Sequence, residues 1–440
     1  MMQTLKFIYR RYLRRYWFAR VAHNAYLRVR FVVVRLWIIA LSALPGRVKK
    51  HRFRNWTASG SASFVTASLV CAAEEVSLPG PVAWREHAPA PLWGPGFRHS
   101  YVWPEIQLLE VEDAVVAGAS DFVFVRDLAL AHPLYDPRRD WTAEELHVRG
   151  VLSASRKSYF RSDSPDPPLE LPQAISMVGS CAANYAHWLT EMLPRLLLAD
   201  RLPRCRGLPL LVDAGLHPNL TASIAALAPT HTELVPLQAG QTAGVGRLAH
   251  LFAPSYVPFD YRHRLFGARP EIECRSDAVR YSPFALRLLK ESAEALVSPA
   301  AARGRKLFLR RRTGARVLVN HDEVEAALAA DGFEAVEPEA LSFLEQVRLF
   351  RGAAVVVGQT GAGLANLLFA PAGCRAVVLI ARSPHSNYLY YSSLAHLAGV
   401  ALCYVEGALT DRTAWHPAHS DFIVRPEEVV AAVRGWRGTR

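Results

Sequence analysis

From Lys306 onward the chain alternates between two hydrophobic periods. Short apolar runs rich in β-branched residues, "KLFLR" (306–310), "FEAV" (333–336), "AVVVG" (354–358) and "CRAVVLIA" (374–381), predict strands. Between them, "NHDEVEAALAADG" (320–332) and "EALSFLEQVRLFRGA" (339–353) repeat apolar residues at helical spacing, with Asn320 placed to cap the first and Glu323 three residues on. "GAGLANLLFA" (361–370) reads as a short helix stopped by Pro371. Strands alternating with helices predict a parallel α/β sheet, a Rossmann-like half-domain.

Upstream the pattern is less regular. "IQLLEVEDAVVAGASDFVFVRD" (106–127) interleaves short apolar runs with turn residues, as in a β-rich region. "RSDSPDPPLELP" (161–172) holds four prolines and marks a boundary. The expected organisation is a basic segment over 1–54 and a β-rich region with a linker over 55–172. An acceptor half-domain over 173–300 and a nucleotide-binding half-domain over 301–410 follow, and 411–440 adds a strand and a helix.

Charge alters the reading of one end only. Residues 1–54 carry 14 Lys and Arg and no acid, whereas the remaining 386 residues hold 37 bases against 39 acids. The longest apolar run there, Phe31 to Leu44, is broken by Arg35 and is shorter than the ~20 residues of a spanning helix. Aromatic and aliphatic residues interleaved with arginine suit a helix lying on an anionic membrane face; a basic tail and a nucleic-acid arm are the other readings. The near-neutral body carries no basic field for nucleic acid, so none is expected as a partner. The six cysteines are dispersed without metal-ligand spacing, which predicts no metal.

Three features carry chemistry. Gly358, Gly361 and Gly363 stand where a strand turns into a helix, a place that favours anions. Their GxxGxG spacing is neither a dinucleotide fingerprint nor a P-loop. Arg310, Arg311, Arg312 and Arg316 follow the first strand of the same half-domain, so guanidinium forks and the glycine turn share one sheet edge, where ligands bind. In "MVGSCAANYAHWLTEMLPRLLLAD" (177–200), Asn184, His187, Glu191 and Arg195 share one helical face. A His and a Glu one turn apart suit a base and its orienter; a structural polar stripe is the alternative.

"NYAHWLTEMLPRL", "KLFLRRR", "LSFLEQVRLF" and "GQTGAGLANLLFAPAG", in this order, resemble the pattern of glycosyltransferase family 61, which includes capsular-polysaccharide biosynthesis proteins. The resemblance spans roughly 175–410. It implies a GT-B-like α/β fold, with two Rossmann-like half-domains facing a cleft behind a β-rich N-terminal extension. It also implies inverting, metal-independent transfer of a hexosyl or pentosyl unit from a nucleotide sugar to a glycan or lipid-linked glycan, without further cofactor. No Asp-x-Asp occurs in the chain. Many members have His where Thr360 stands and Ser where Arg310 stands. On this reading His187 or Glu191 is the base, with Asn184 and Arg195 on the acceptor side. Donor contacts come from Arg311, Arg312, Arg316, Asn320, Thr360, Gly361, Ala362, Gly363 and Asn366. The enzyme would sit in the cytoplasm, peripheral at the inner face of the membrane. A non-catalytic scaffold of a polysaccharide assembly or export complex is the alternative.

Overall fold

The computed structural model describes residues 48–57, 63–84, 96–137, 140, 150–152, 157–162, 166–257, 279–298, 304–311, 316–383, 386–410 and 420–436, with scattered positions between 22 and 40. The architecture is mixed α/β with two main sheets, one from each half of the chain. This is consistent with a two-lobed, GT-B-like arrangement.

The first sheet begins with β1 (Lys49–Asn55) and β2 (Val65–Cys71); β3 (Glu74–Pro79) and β4 (Arg98–Trp103) form a separate hairpin. It continues through β5 (Ile106–Ala117), β6 (Val123–Val125), β7 (Leu128–Ala131), β8 (Gly150–Leu152), β9 (Ser158–Arg161), β10 (Leu169–Ser176), β11 (Leu210–Asp213), β12 (Leu234–Leu237) and β13 (Thr242–His250). Its order is β12-β11-β10-β13-β5-β6-β7-β1-β9-β8, with β2 also on β5. The first four strands are parallel, and β5 joins β13 antiparallel. The β-rich region is thus continuous with the half that follows it.

Two expected boundaries fall inside strands. Residue 54 lies in β1, which pairs with β7 and β9. Its basic side chains stand outward while His51 is buried, so the run of charge hides a strand's alternation. Residue 172 lies in β10, read as linker because of its prolines. Pro172 donates no hydrogen bond, and Gly246 passes close opposite, where a Cβ would come 2.9 Å from the Pro172 carbonyl oxygen.

The second sheet contains β16 (Arg305–Leu309), β17 (Glu334–Val336), β18 (Ala353–Gln359), β19 (Arg375–Ala381), β20 (Ala401–Leu409) and β21 (Phe422–Ile423), after the small pair β14 (Ser255–Tyr256) and β15 (Arg280–Tyr281). Its order is β17-β16-β18-β19-β20-β21, parallel except for β21. Strand order reverses between β16 and β18, and beyond the C-terminal ends of strands at such a reversal is where open α/β sheets bind ligands. Arg310 and Arg311 follow one strand, and Thr360 and Gly361 follow the other. The short helix expected after β18 is a 3₁₀ helix, Ala362–Phe369.

One hydrophobic core runs through both lobes, joining Trp188, Leu189 and Leu196 to Leu309, Val356, Leu364 and Phe369. The β3–β4 hairpin also ties them. The Tyr101 hydroxyl donates to the Tyr281 carbonyl, Glu74 accepts from the Phe284 amide, and Val82 and Trp84 bond the backbone of Tyr404. A shared core of this kind resists hinge motion, because opening it would expose apolar area worth about 25 cal/mol per Å².

Candidate active site

The helical stretch after β10 is not a single α-helix. Tyr185–His187 is α-helical, Trp188–Met192 is a π-turn, and Leu193–Asp200 resumes the α-helix. Such π-bulges cluster at functional sites because they re-aim side chains. Here His187 Nδ1 and Glu191 Oε1 lie 2.6 Å apart, with 20% and 13% of their side chains exposed. Burial by itself would lower the His187 pKa. The charge and hydrogen bond of Glu191, with Asp121 behind it, outweigh burial and raise it. With Nδ1–H given to Glu191, Nε2 is left to act as a base, the arrangement of an imidazole oriented by a carboxylate.

The other members of the expected stripe have different duties. Asn184 caps the helix, accepting from the Ala186 amide at 3.0 Å. Arg195 is buried beneath the site. Its guanidinium donates to the Ser176 carbonyl at 2.6 Å and faces Asp121, Glu191 and Asp213. Burial brings its pKa down to about 10, so it stays charged at neutral pH. Only 5% of the residue is exposed.

On the second-sheet side, Arg311 lies over the glycine turn and donates to the Thr360 carbonyl at 2.7 Å. Gly361 is extended (φ −178°), so its lack of a side chain serves close approach. A Cβ there would come 2.9 Å from Arg311 Cδ. The Tyr391 hydroxyl donates to the Gly361 carbonyl at 2.8 Å. With both carbonyls of the turn held, the first N–H groups of the 3₁₀ helix, at Ala362 and Gly363, begin a helix end that lacks intrahelical acceptors. Burial pushes the Tyr391 hydroxyl up in pKa, and the charges of Arg316 and Arg311 pull against that shift. Arg316 has a left-handed backbone (φ 55°), a strained state for a side chain other than glycine. Gln359 donates to its carbonyl at 3.2 Å, and its buried Nε has no hydrogen-bond partner among the described residues. Thr360 is buried beside them.

The two sides are joined by specific bonds. The Tyr185 hydroxyl, two residues before His187, donates to Asn366 Oδ1 at 2.8 Å. The Asn366 amide donates to Gln346 and to the Gly363 carbonyl. Fully buried, Asn366 is through these bonds a brace between the two sides. Tyr390, its ring 4.8 Å from that of Tyr391, feels the charge of Glu191. The expected donor contact from Asn320 also changes: its side chain exchanges bonds with the Val424 backbone and provides no helix cap. Arg310 is paired with Glu325. Arg312 lies outside the described residues.

Sequence reasoning missed Asp121, Ser180 and Tyr391. Asp121 sits in a turn between β5 and β6, and nothing in the spacing of "GASDF" marks it. Tyr391 belongs to the tyrosine-rich "NYLYYSS" (387–393), an unusual run that is the one available signal. Among the described residues, no three His, Cys, Asp or Glu side chains gather to hold a metal ion.

Residues 185–377, less than half of the chain, match the family model described as Glycosyltransferase 61. The matched span contains the His187–Glu191 pair, the arginines and the glycine turn, and stops short of Asp121 and Ser180. It supports sugar transfer as the class of reaction. No curated protein matches the chain.

Proposed function

We propose that the protein is an inverting glycosyltransferase that moves a sugar from a nucleotide-sugar donor to a glycan or lipid-linked glycan during capsule or surface-polysaccharide synthesis. The observation that carries this reading is the His187–Glu191 pair, joined through the Tyr185–Asn366 bond to an arginine-bearing glycine turn at a strand-order reversal. The parallel blocks of the two sheets, β12-β11-β10-β13 and β17-β16-β18-β19-β20, are read as Rossmann-like half-domains, the second holding the donor. His187 Nε2 removes the acceptor hydroxyl proton while Glu191 holds Nδ1–H. The acceptor oxygen bonds to the anomeric carbon from the side opposite the nucleotide, and the bond to the diphosphate breaks, which inverts the centre. Arg311, Arg316 and the amides of the Gly361–Gly363 turn receive the diphosphate charge that develops. Arg312 enters this scheme from its sequence position alone.

A panel of nucleotide sugars tests the reading. At least one should raise the Tm and, given glycan acceptors, transfer its sugar with inverted anomeric configuration by NMR. No thermal shift across the panel would remove the donor site. Donor binding without any transfer would favour the scaffold role.

Attachment to the inner membrane face is part of the proposal. Residues 1–44, ahead of β1, contribute 9 bases, each worth about 1 kcal/mol near an anionic surface, and the helical positions Tyr26, Val29, Val32, Val33 and Leu36 expose apolar side chains. Among the described residues no helix is long and apolar enough to cross a membrane. The full chain should co-sediment with phosphatidylglycerol vesicles and be released by salt. A chain starting at Pro45, which keeps β1, should stay in the supernatant; equal sedimentation of both would refute the attachment.

A further inference from the structure

The second sheet carries a further arginine at the same edge as the glycine turn. Arg382 follows the end of β19, and the sheet order places β18 and its turn between β16 and β19. Gln359 pairs with Leu379, whose carbonyl accepts the Thr360 amide at 3.0 Å. Thr360 and Gly361 are therefore level with Ile380 and Ala381, and Arg382 is the next residue on a strand about 4.8 Å away. Arg311, leaving β16, holds the turn from its other side.

A buried carboxylate backs this arginine. Glu406 on β20 has a side chain only 3% exposed, and its Oε2 lies 3.4 Å from Arg382 Nε. Its Oε1 accepts the Tyr388 hydroxyl at 2.5 Å. Burial, and then Glu406 itself, push that hydroxyl well up in pKa, so it stays a donor. Tyr388 opens the helix Tyr388–Ala398, and Tyr391, one turn on and on the same face, donates to the Gly361 carbonyl at 2.8 Å. Contacts thus run from Arg382 through Glu406, Tyr388 and Tyr391 to the glycine turn. The Arg382 side chain is 49% exposed, and no described residue accepts a hydrogen bond from its guanidinium. Burying a carboxylate behind an arginine that solvent reaches does not favour stability. What it provides is a guanidinium oriented through Nε with both Nη atoms free.

We propose that Arg382 is a second donor-binding arginine, which meets the donor diphosphate from the β19 side of the glycine turn while Arg311 meets it from the β16 side, with Glu406 as its positioning residue. This assignment rests on the transferase reading. Two guanidiniums flanking one row of amides match the two phosphates of a nucleoside diphosphate, and a monophosphate leaves one of them idle.

Calorimetry on the full chain tests this, with UDP, GDP, ADP and CDP and the corresponding monophosphates as probes. The wild type should bind its preferred diphosphate about 10-fold or more tighter than the monophosphate, the factor that one charge-assisted contact supplies. In Arg382→Ala that difference should nearly vanish. Arg382→Lys, which keeps the charge and loses the fork, should fall between the two. Glu406→Gln leaves Tyr388 an acceptor and removes the carboxylate charge. It should weaken diphosphate binding by less than Arg382→Ala does and leave monophosphate binding unchanged, a split that a purely structural role would not produce. Should Arg382→Ala fail to fold with Glu406 left unpaired, the double variant Arg382→Ala/Glu406→Gln removes both charges and gives the same reading. A wild-type preference for the diphosphate in both Arg382→Ala and Arg382→Lys overturns the proposal; if Arg311→Ala is weakened at the same time, the transferase reading stands without it. If no nucleoside diphosphate binds the wild type, the donor-site reading falls and this assignment with it.

Discussion

The two faces of the candidate site are built from different materials. On the first-sheet side the polar groups are ionisable side chains bonded to one another: His187 to Glu191, and Asp121 to Ser180. On the second-sheet side they are backbone groups of a glycine turn, held by Arg311 and Tyr391 through its carbonyls. The first face can change its charge, and the second cannot. A proton-handling surface set against fixed cationic and amide donors is what group transfer to a leaving diphosphate requires. Each face can be broken separately.

The largest effect belongs to the first face. His187→Ala should lower turnover by about 10²–10⁴-fold, the range for general-base catalysis, with little change in nucleotide affinity by calorimetry. Initial rates check it; near-normal turnover would return the pair to a structural role. The pH dependence has a definite sign. His187 acts when neutral and its pKa is raised, so activity should fall on the acid side at a pH above the ordinary histidine value of about 6.5. Glu191→Gln should move that limb down. The same raised pKa stabilises the fold fully below about 6.5, and this contribution is lost as pH rises through the folded-state value.

The brace between the faces comes next. Asn366→Ala deletes an amide that bonds Tyr185, Gln346 and the Gly363 carbonyl, and leaves buried partners unsatisfied. Each costs about 1–3 kcal/mol, so a loss of about 3 kcal/mol in denaturant unfolding is expected. A variant of wild-type stability would mean that the shared apolar core alone joins the lobes.

How much of this was legible in the sequence depended on whether a residue's neighbours in the chain are also its neighbours in space. Strands β16, β18 and β19 could be read from their apolar runs, and the turn after β18 from its glycines. The first sheet hid itself: β1 lay within a basic run, and β10 behind prolines. His187 and Glu191 are one turn apart, so their pairing follows from helical spacing. Asp121 reaches Ser180 across 59 residues, and no local pattern encodes that contact. Polar residues inside apolar segments were the ambiguous case. Asn366, Asn320 and Arg195 were expected to face ligands, yet each satisfies interior backbone or side-chain groups. A buried polar group needs a partner, and sequence does not reveal whether that partner is substrate or protein.

On the second face, Arg311→Ala should weaken nucleoside-diphosphate binding. Loss of a charge-assisted contact is worth about 1.5–3 kcal/mol, roughly 10- to 150-fold in affinity, and calorimetry reads it directly. Unchanged affinity would mean that Arg311 braces the turn without meeting the donor. Folding should be retained, because Arg311 is half-buried and gives the turn a bond to a backbone carbonyl.

The smallest effect should come from its neighbour, and it sharpens the comparison most. Arg310 and Arg311 are adjacent, both leave the end of β16, and charge alone gives no reason to separate them. The structure does. Arg310 turns away to Glu325, with Glu337 at 3.8 Å, and its side chain is 35% exposed. Ion pairs that solvent reaches contribute little, since water and salt screen them. Arg310→Ala should therefore bind nucleotide with wild-type affinity, turn over normally, and change the Tm only slightly, by an amount that shrinks further in high salt. If the two alanine variants instead lose nucleotide affinity equally, Arg310 must leave Glu325 to meet the ligand. The second face would then rearrange on binding, and its donors would no longer be the fixed half of the site.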